Sequence, residues 1–107
     1  MDNPILTLSF KFSLEIISYC DQLQNEKKYV IANQLLRSGT SIGANIREAQ
    51  TPHSRADFIS KLVIAAKEAN ETDYWLELCE ESNLYPKPIG LREKLDEILR
   101  LLSAIML

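Results

Sequence analysis

The sequence predicts an all-α fold, a single antiparallel up-down-up-down four-helix bundle spanning residues 1–107. Apolar residues recur at helical spacing along most of the chain. Only three short polar breaks interrupt that spacing, and short connections force consecutive helices to pack as antiparallel neighbours. β-branched runs and Asn-Gly or Asp-Gly hairpin signals are absent, so no sheet is expected.

Each helix has a recognisable start. Asn3-Pro4 opens the first, with Asn as N-cap and Pro at the first helical position, and the pattern runs over about 4–24. A polar turn at Asn25 to Lys27 leads to the second helix, about 28–50. Thr51-Pro52-His53 breaks it. Ser54 caps the third helix, about 54–82, with Asp57 three residues on as a short form of the capping box. Asn83 to Lys87 forms the last loop, and Pro88 is placed to start the fourth helix, about 88–106. Helices of roughly twenty residues are about 30 Å long, a common bundle length.

The helix faces carry more information than the boundaries. The fourth helix has one stripe, Leu91, Leu95, Ile98, Leu102 and Ile105, opposite Arg92, Asp96 and Arg100. The first has two: Ile5, Phe12, Ile16, Tyr19 and Leu23 on one side, and Leu6, Phe10, Leu14 and Ile17 on another. In the third, Phe58, Leu62, Ala65, Ala69, Thr72 and Leu76 form a core stripe, while Ile64, Tyr74, Trp75 and Leu78 lie well away from it. An isolated bundle hides one stripe per helix, so the second stripes predict a second partner. The competing reading is coverage by lysine stems at the core edge.

The second helix turns Ile31, Leu35, Gly39, Ile42, Gly43 and Ile46 to the core and Asn33, Arg37, Ser41, Ala44 and Glu48 away from it. Gly39 and Gly43 sit one turn apart, and each glycine inside a helix costs about 1 kcal/mol relative to alanine. Close approach of another backbone offsets that cost. The third helix offers Ala65 and Ala69, so the expected helix-packing set is Gly39, Gly43, Ala65 and Ala69. The outer side of the second helix is unusually small for a solvent face and is left free for another chain. The expected oligomer contacts are therefore Phe10, Leu14, Ile17, Arg37, Ser41, Ala44, Glu48, Ile64, Glu71 and Trp75.

Chemistry is not legible. Glu48, Glu68 and Glu71 lie on helices that should be neighbours, but a di-metal bundle site needs two Glu-x-x-His pairs, and the single histidine, His53, lies in a loop. Pairing of Glu68 and Glu71 with Arg37, Arg47 or Lys67, or with Asn45, is the expectation. Ser38, Thr40 and Ser41 have no evident base beside them, and the glycines match neither a dinucleotide nor a phosphate loop. No cofactor, metal or catalytic residue is assigned, and the chain reads as a non-enzyme. Cys20 and Cys79 read as buried free thiols. No apolar run is long enough to span a membrane and no secretory signal is evident, so a cytoplasmic location without a membrane partner is expected. The net charge of −3 gives no overall nucleic-acid footprint, although Lys27, Lys28, Arg37, Arg47 and Arg55 gather on or near the second helix.

Three runs carry a family resemblance: QLLRSGTSIGANIREA from Gln34 to Ala49, SRADFISKL from Ser54 to Leu62, and AAKEANETDYWLEL from Ala65 to Leu78. They closely resemble the four-helix-bundle proteins encoded in bacterial 23S ribosomal RNA intervening sequences, which in turn are similar to accessory proteins of diversity-generating retroelements. The resemblance implies a left-handed bundle that closes into a homopentameric ring, and it transfers no active-site residue. The expected function is a homo-oligomeric interaction or scaffold protein, with an RNA or ribonucleoprotein as a candidate partner. The alternatives are direct RNA or DNA binding through a basic surface repeated by symmetry, and an enzyme or ligand-binding protein that uses a groove between subunits.

Overall fold

The computed structural model describes residues 3–107 and contains four helices: α1 (Pro4–Asn25), α2 (Tyr29–Glu48), α3 (Arg55–Glu81) and α4 (Leu91–Met106). Neighbouring helices pack in the cyclic order α1–α2–α3–α4, and the backbones of the diagonal pairs do not approach each other closely. Specific contacts fix the directions. Gly39 and Gly43 of α2 meet Ile16 and then Ser9 and Ser13 of α1, so the two helices run oppositely. Arg37 meets Glu68 and Glu71, and Glu48 meets Lys61, which makes α2 and α3 antiparallel. Tyr19 reaches Pro86 and Glu15 reaches Lys94, which closes α4 against α1 in the same sense. The result is an elongated body of 44 × 23 × 21 Å.

The core is the set of stripes expected from sequence, with additions. Phe12, Ile16, Leu23, Leu35, Ile42, Ile46, Leu62, Leu76, Leu95, Ile98 and Leu102 are fully buried. Ala65 and Ala69 are fully buried too. On α2, Ile31 and Gly43 are only half-buried, whereas Ala32 and Ser38 lie in the core. Ile105 at the end of α4 is exposed. Ser38 and Thr72 face each other across α2 and α3 with hydroxyls 2.9 Å apart, and the Thr72 hydroxyl reaches the Glu68 carbonyl at 2.7 Å. A hydroxyl has one proton, so Ser38 donates to Thr72 when Thr72 donates to Glu68. Both polar groups are thereby satisfied inside an apolar core.

The two glycines serve a different neighbour from the one expected. They open onto α1, not onto the Ala65 and Ala69 stripe of α3. A Cβ on Gly39 would lie 2.8 Å from Ile16 Cγ2, and one on Gly43 would lie 3.3 Å from both the Ser13 hydroxyl and the Ser9 carbonyl oxygen. Glycines on α2 and serines on α1 thus bring two helix backbones together, while the alanines of α3 fill the general core.

Helix starts also depart from expectation in two places. Asn3 occupies the N-cap of α1, but its side chain makes no cap bond and instead donates to Gln50 Oε1 at 3.4 Å. α4 begins at Leu91 and not at Pro88, because Gly90 adopts a left-handed conformation with φ 80° that ends any helix running through it. Pro88 is buried, and the Tyr19 hydroxyl donates to the Pro86 carbonyl at 2.6 Å, tying this loop to α1. Ser54 does cap α3, accepting from the Asp57 backbone N–H at 3.0 Å, while the Asp57 carboxylate accepts from the His53 N–H at 3.1 Å. Cys20 and Cys79 are free and buried. Burial pushes the Cys20 thiol up to about 12, raises that of Cys79, and raises the Tyr19 phenol as well.

Candidate functional site

Leu6 of the second α1 stripe packs half-buried against the core, and the other three residues of the stripe stay largely uncovered within the chain. Phe10, Leu14 and Ile17 are 50%, 52% and 49% exposed. They line a groove of about 450 Å³ whose other wall is α2. Thr40, Gly43 and Ala44 form that wall, and Arg47 and Glu48 stand at its end. The groove exists because the residues beneath it are small: Ser9, Ser13 and Gly43 bring the backbones close and leave no side chain to fill the space above. Of the sequence-expected oligomer contacts, Phe10, Leu14, Ile17, Ala44 and Glu48 come together here.

The remaining candidates meet on the adjacent face, between α2 and α3. Arg37 Nη1 donates to Glu68 at 2.9 Å, and Arg37 Nη2 donates to Glu71 Oε2. The same Glu71 oxygen accepts from the Trp75 indole at 3.0 Å. Trp75 in turn meets the ring of Tyr74 edge-on at 5.4 Å. Ile64, Tyr74 and Leu78 are exposed alongside. The pairing of Glu68 and Glu71 with Arg37 is among the sequence expectations, while Asn45 instead donates back to the Ser41 carbonyl at 2.9 Å. Ser41 likewise donates to the Arg37 carbonyl at 2.6 Å, so the small polar residues of α2 satisfy themselves along their own helix.

The indole and the guanidinium both favour the charged form of Glu71 and hold its carboxyl below the ordinary glutamate range; the Glu71 hydrogen bond raises the Arg37 guanidinium. A depressed carboxylate contributes stability above the ordinary glutamate range, and that contribution is lost as pH falls through its folded value. Trp75 is the only tryptophan, so its fluorescence reports on this bond. An emission change is expected on acidification below the ordinary glutamate range, and Glu71→Gln should abolish it. An unchanged transition in that variant would refute the link.

The five cations on or near α2 do not converge. Lys27 and Lys28 lie at the α1–α2 turn and Arg55 at the start of α3, so the length of α2, about 28 Å at 1.5 Å per residue, separates them. Lys28 sits 5.3 Å from the centre of the Tyr85 ring, Arg47 5.6 Å from that of Phe10, and Arg55 5.7 Å from that of Phe58. Arg37 is held by two glutamates. Closeness in sequence did not become a patch.

A further polar cluster, not anticipated from sequence, lies between α3 and α4. Arg92 donates through Nε to Asp73 at 2.9 Å and through Nη1 to Glu80 at 3.1 Å, and these bonds raise its guanidinium. Arg92 had read as a solvent residue opposite the α4 core stripe. Among the described residues no group of three His, Cys, Asp or Glu stands close enough to hold a metal ion, and no helix is long and apolar enough to cross a membrane.

Comparison with known proteins supplies a family. A search of curated proteins gave no match. A solved structure from Bacteroides thetaiotaomicron VPI-5482, described as a protein with unknown function from the S23 ribosomal protein family, is similar at 47% identity with a TM-score of 0.90. The match covers 95% of this chain and 97% of that one. The family model of the 23S rRNA-intervening sequence protein matches residues 1–104. The chain therefore belongs to the 23S rRNA-intervening sequence protein family.

Proposed function

We propose that this chain is a non-enzymatic scaffold that works as a homo-oligomer, a pentamer by resemblance to its family, in the cytoplasm and in a ribonucleoprotein setting. The observation that carries the reading is the α1–α2 groove, where Phe10, Leu14 and Ile17 stay half exposed. Three large apolar side chains in one concave strip are costly to keep in water, at about 25 cal/mol per Å² of apolar surface. Contact with another protein surface removes that cost, and adjacent exposed side chains on α3 enlarge the apolar area available. The family name supports the ribonucleoprotein setting. The scattered and engaged cations lend no support to direct nucleic-acid binding ahead of the scaffold reading.

Sedimentation equilibrium at micromolar concentration tests the assembly. The expected mass is about five times that of the chain. A monomer would end the proposal.

A further inference from the structure

We infer that the α3–α4 connection, Ser82 to Gly90, is a strap latched over one end of the core by the Tyr19 hydroxyl, and that it lifts as a unit while the four helices stay packed. Lifting it uncovers the corner of the core that holds Tyr19 and Cys79. This does not depend on the oligomeric reading above.

The strap has few anchors in the bundle. Asn83, Leu84, Lys87 and Ile89 are exposed, Leu84 at 74% and Ile89 at 90%. Pro88 is buried, and Tyr85 packs against the core from its edge. Among the described residues, one hydrogen bond joins the strap to α1 or α2: the Tyr19 hydroxyl donates to the Pro86 carbonyl at 2.6 Å. Lys28 adds a cation–π contact with Tyr85, 5.3 Å from the ring centre, which is weak at a surface. Segments with so few buried contacts open at lower free energy than the core they cover.

The remaining bonds tie the strap to its own root. Lys87 donates to the carbonyls of Glu80 and Ser82 at 2.6 and 2.9 Å, which satisfies the C-terminal end of α3. The Ser82 hydroxyl accepts from the Leu84 N–H at 3.2 Å. A flexible lysine stem keeps its bonds through a swing of the segment. Pro86 and Pro88 each hold φ near about −65°, so the middle of the strap moves as one piece. The far end is Gly90, with φ 80°, where an added Cβ would meet nothing within 4 Å. Glycine is needed there for the turn and not for want of space, and its backbone freedom together with the open surroundings makes it the pivot.

Beneath the strap, Tyr19 is 6% exposed and Cys79 is fully buried, and the Cys79 thiol neighbours the Tyr19 hydroxyl. The two cysteines are not themselves a disulfide switch. Cys20 lies on α1 and Cys79 on α3, no Cα of α1 comes within 8 Å of one on α3, and a disulfide needs Cα atoms closer than about 7 Å. Cys79 therefore serves as a single thiol that reports whether the strap is down.

A second thiol far from the strap supplies the comparison. Ser38→Cys replaces a fully buried side chain in the middle of α2 with one of nearly the same shape. Alkylation by iodoacetamide, followed at each thiol by peptide mass mapping, then reads two kinds of opening in the same molecules. Without denaturant, Cys79 is expected to react at least about tenfold faster than the introduced thiol. Its rate should also climb less steeply with urea below the unfolding transition, because lifting the strap exposes less surface than unfolding does. Adding Tyr19→Phe removes the latch and should raise the Cys79 rate roughly three- to tenfold relative to the introduced thiol. Equal rates and equal urea slopes at the two thiols would mean that only global unfolding reaches Cys79, and would overturn the strap. With Tyr19→Phe present, acceleration of both thiols alike, or of neither, overturns the latch.

Discussion

Gly39→Leu is expected to destabilise the bundle by about 3 kcal/mol or more, because overpacking a tight helix contact cannot be relieved by a small shift. Gly39 is fully enclosed, and its missing Cβ would already lie 2.8 Å from Ile16 Cγ2, a branch methyl of a side chain that is itself 0% exposed. Alanine at the same position isolates the cause. Helix propensity favours Gly39→Ala by about 1 kcal/mol, and overpacking opposes it by about 1 to 3 kcal/mol. The expected net loss of about 1 kcal/mol lowers Tm by roughly 4 to 8 °C for a domain near this size. Ile16→Ala alone should cost about 2 to 5 kcal/mol through the cavity it leaves. In that background the clash is gone, and Gly39→Ala should stabilise. Thermal melts of the four proteins at equal concentration give the coupling. Additive effects would show that Ile16 is not what Gly39 makes room for.

Thr72→Val carries the second large effect. It removes the hydroxyl that Ser38 meets at 2.9 Å and leaves a fully buried serine without its side-chain partner. The expected loss is about 1 to 3 kcal/mol, the penalty for an unsatisfied buried polar group. Adding Ser38→Ala should restore most of it, since removing both hydroxyls leaves no orphan. Urea denaturation measures this. A double variant as unstable as the sum of the two single ones would contradict the pairing.

These residues also mark where sequence reading succeeds and where it stops. Large apolar residues at 3.6-residue spacing gave the four helices and most of the core, because burial of a Leu or Ile decides its own orientation. Ser38 and Ala32 were missed because small residues sit at a core position as readily as at a surface one. Gly39 and Gly43 announced close approach, yet a residue without a side chain does not say which neighbour approaches. The alanines of α3 were an available partner, but Ile16, Ser9 and Ser13 of α1 were the actual one. Pro88 matched a helix start locally, and only the left-handed turn at Gly90 reveals why α4 begins later. The groove was half legible. Its α1 wall followed from the second apolar stripe, whereas its depth depends on serines beneath that stripe, whose packing is a tertiary fact.

Cys20 and Cys79 have a practical consequence. Burial both hides the sulfurs and disfavours the reactive thiolate, so both thiols react far more readily once the bundle opens. Modification by an alkylating reagent therefore proceeds at the pace of opening events. The native chain carries its own clock for how often its core is breached.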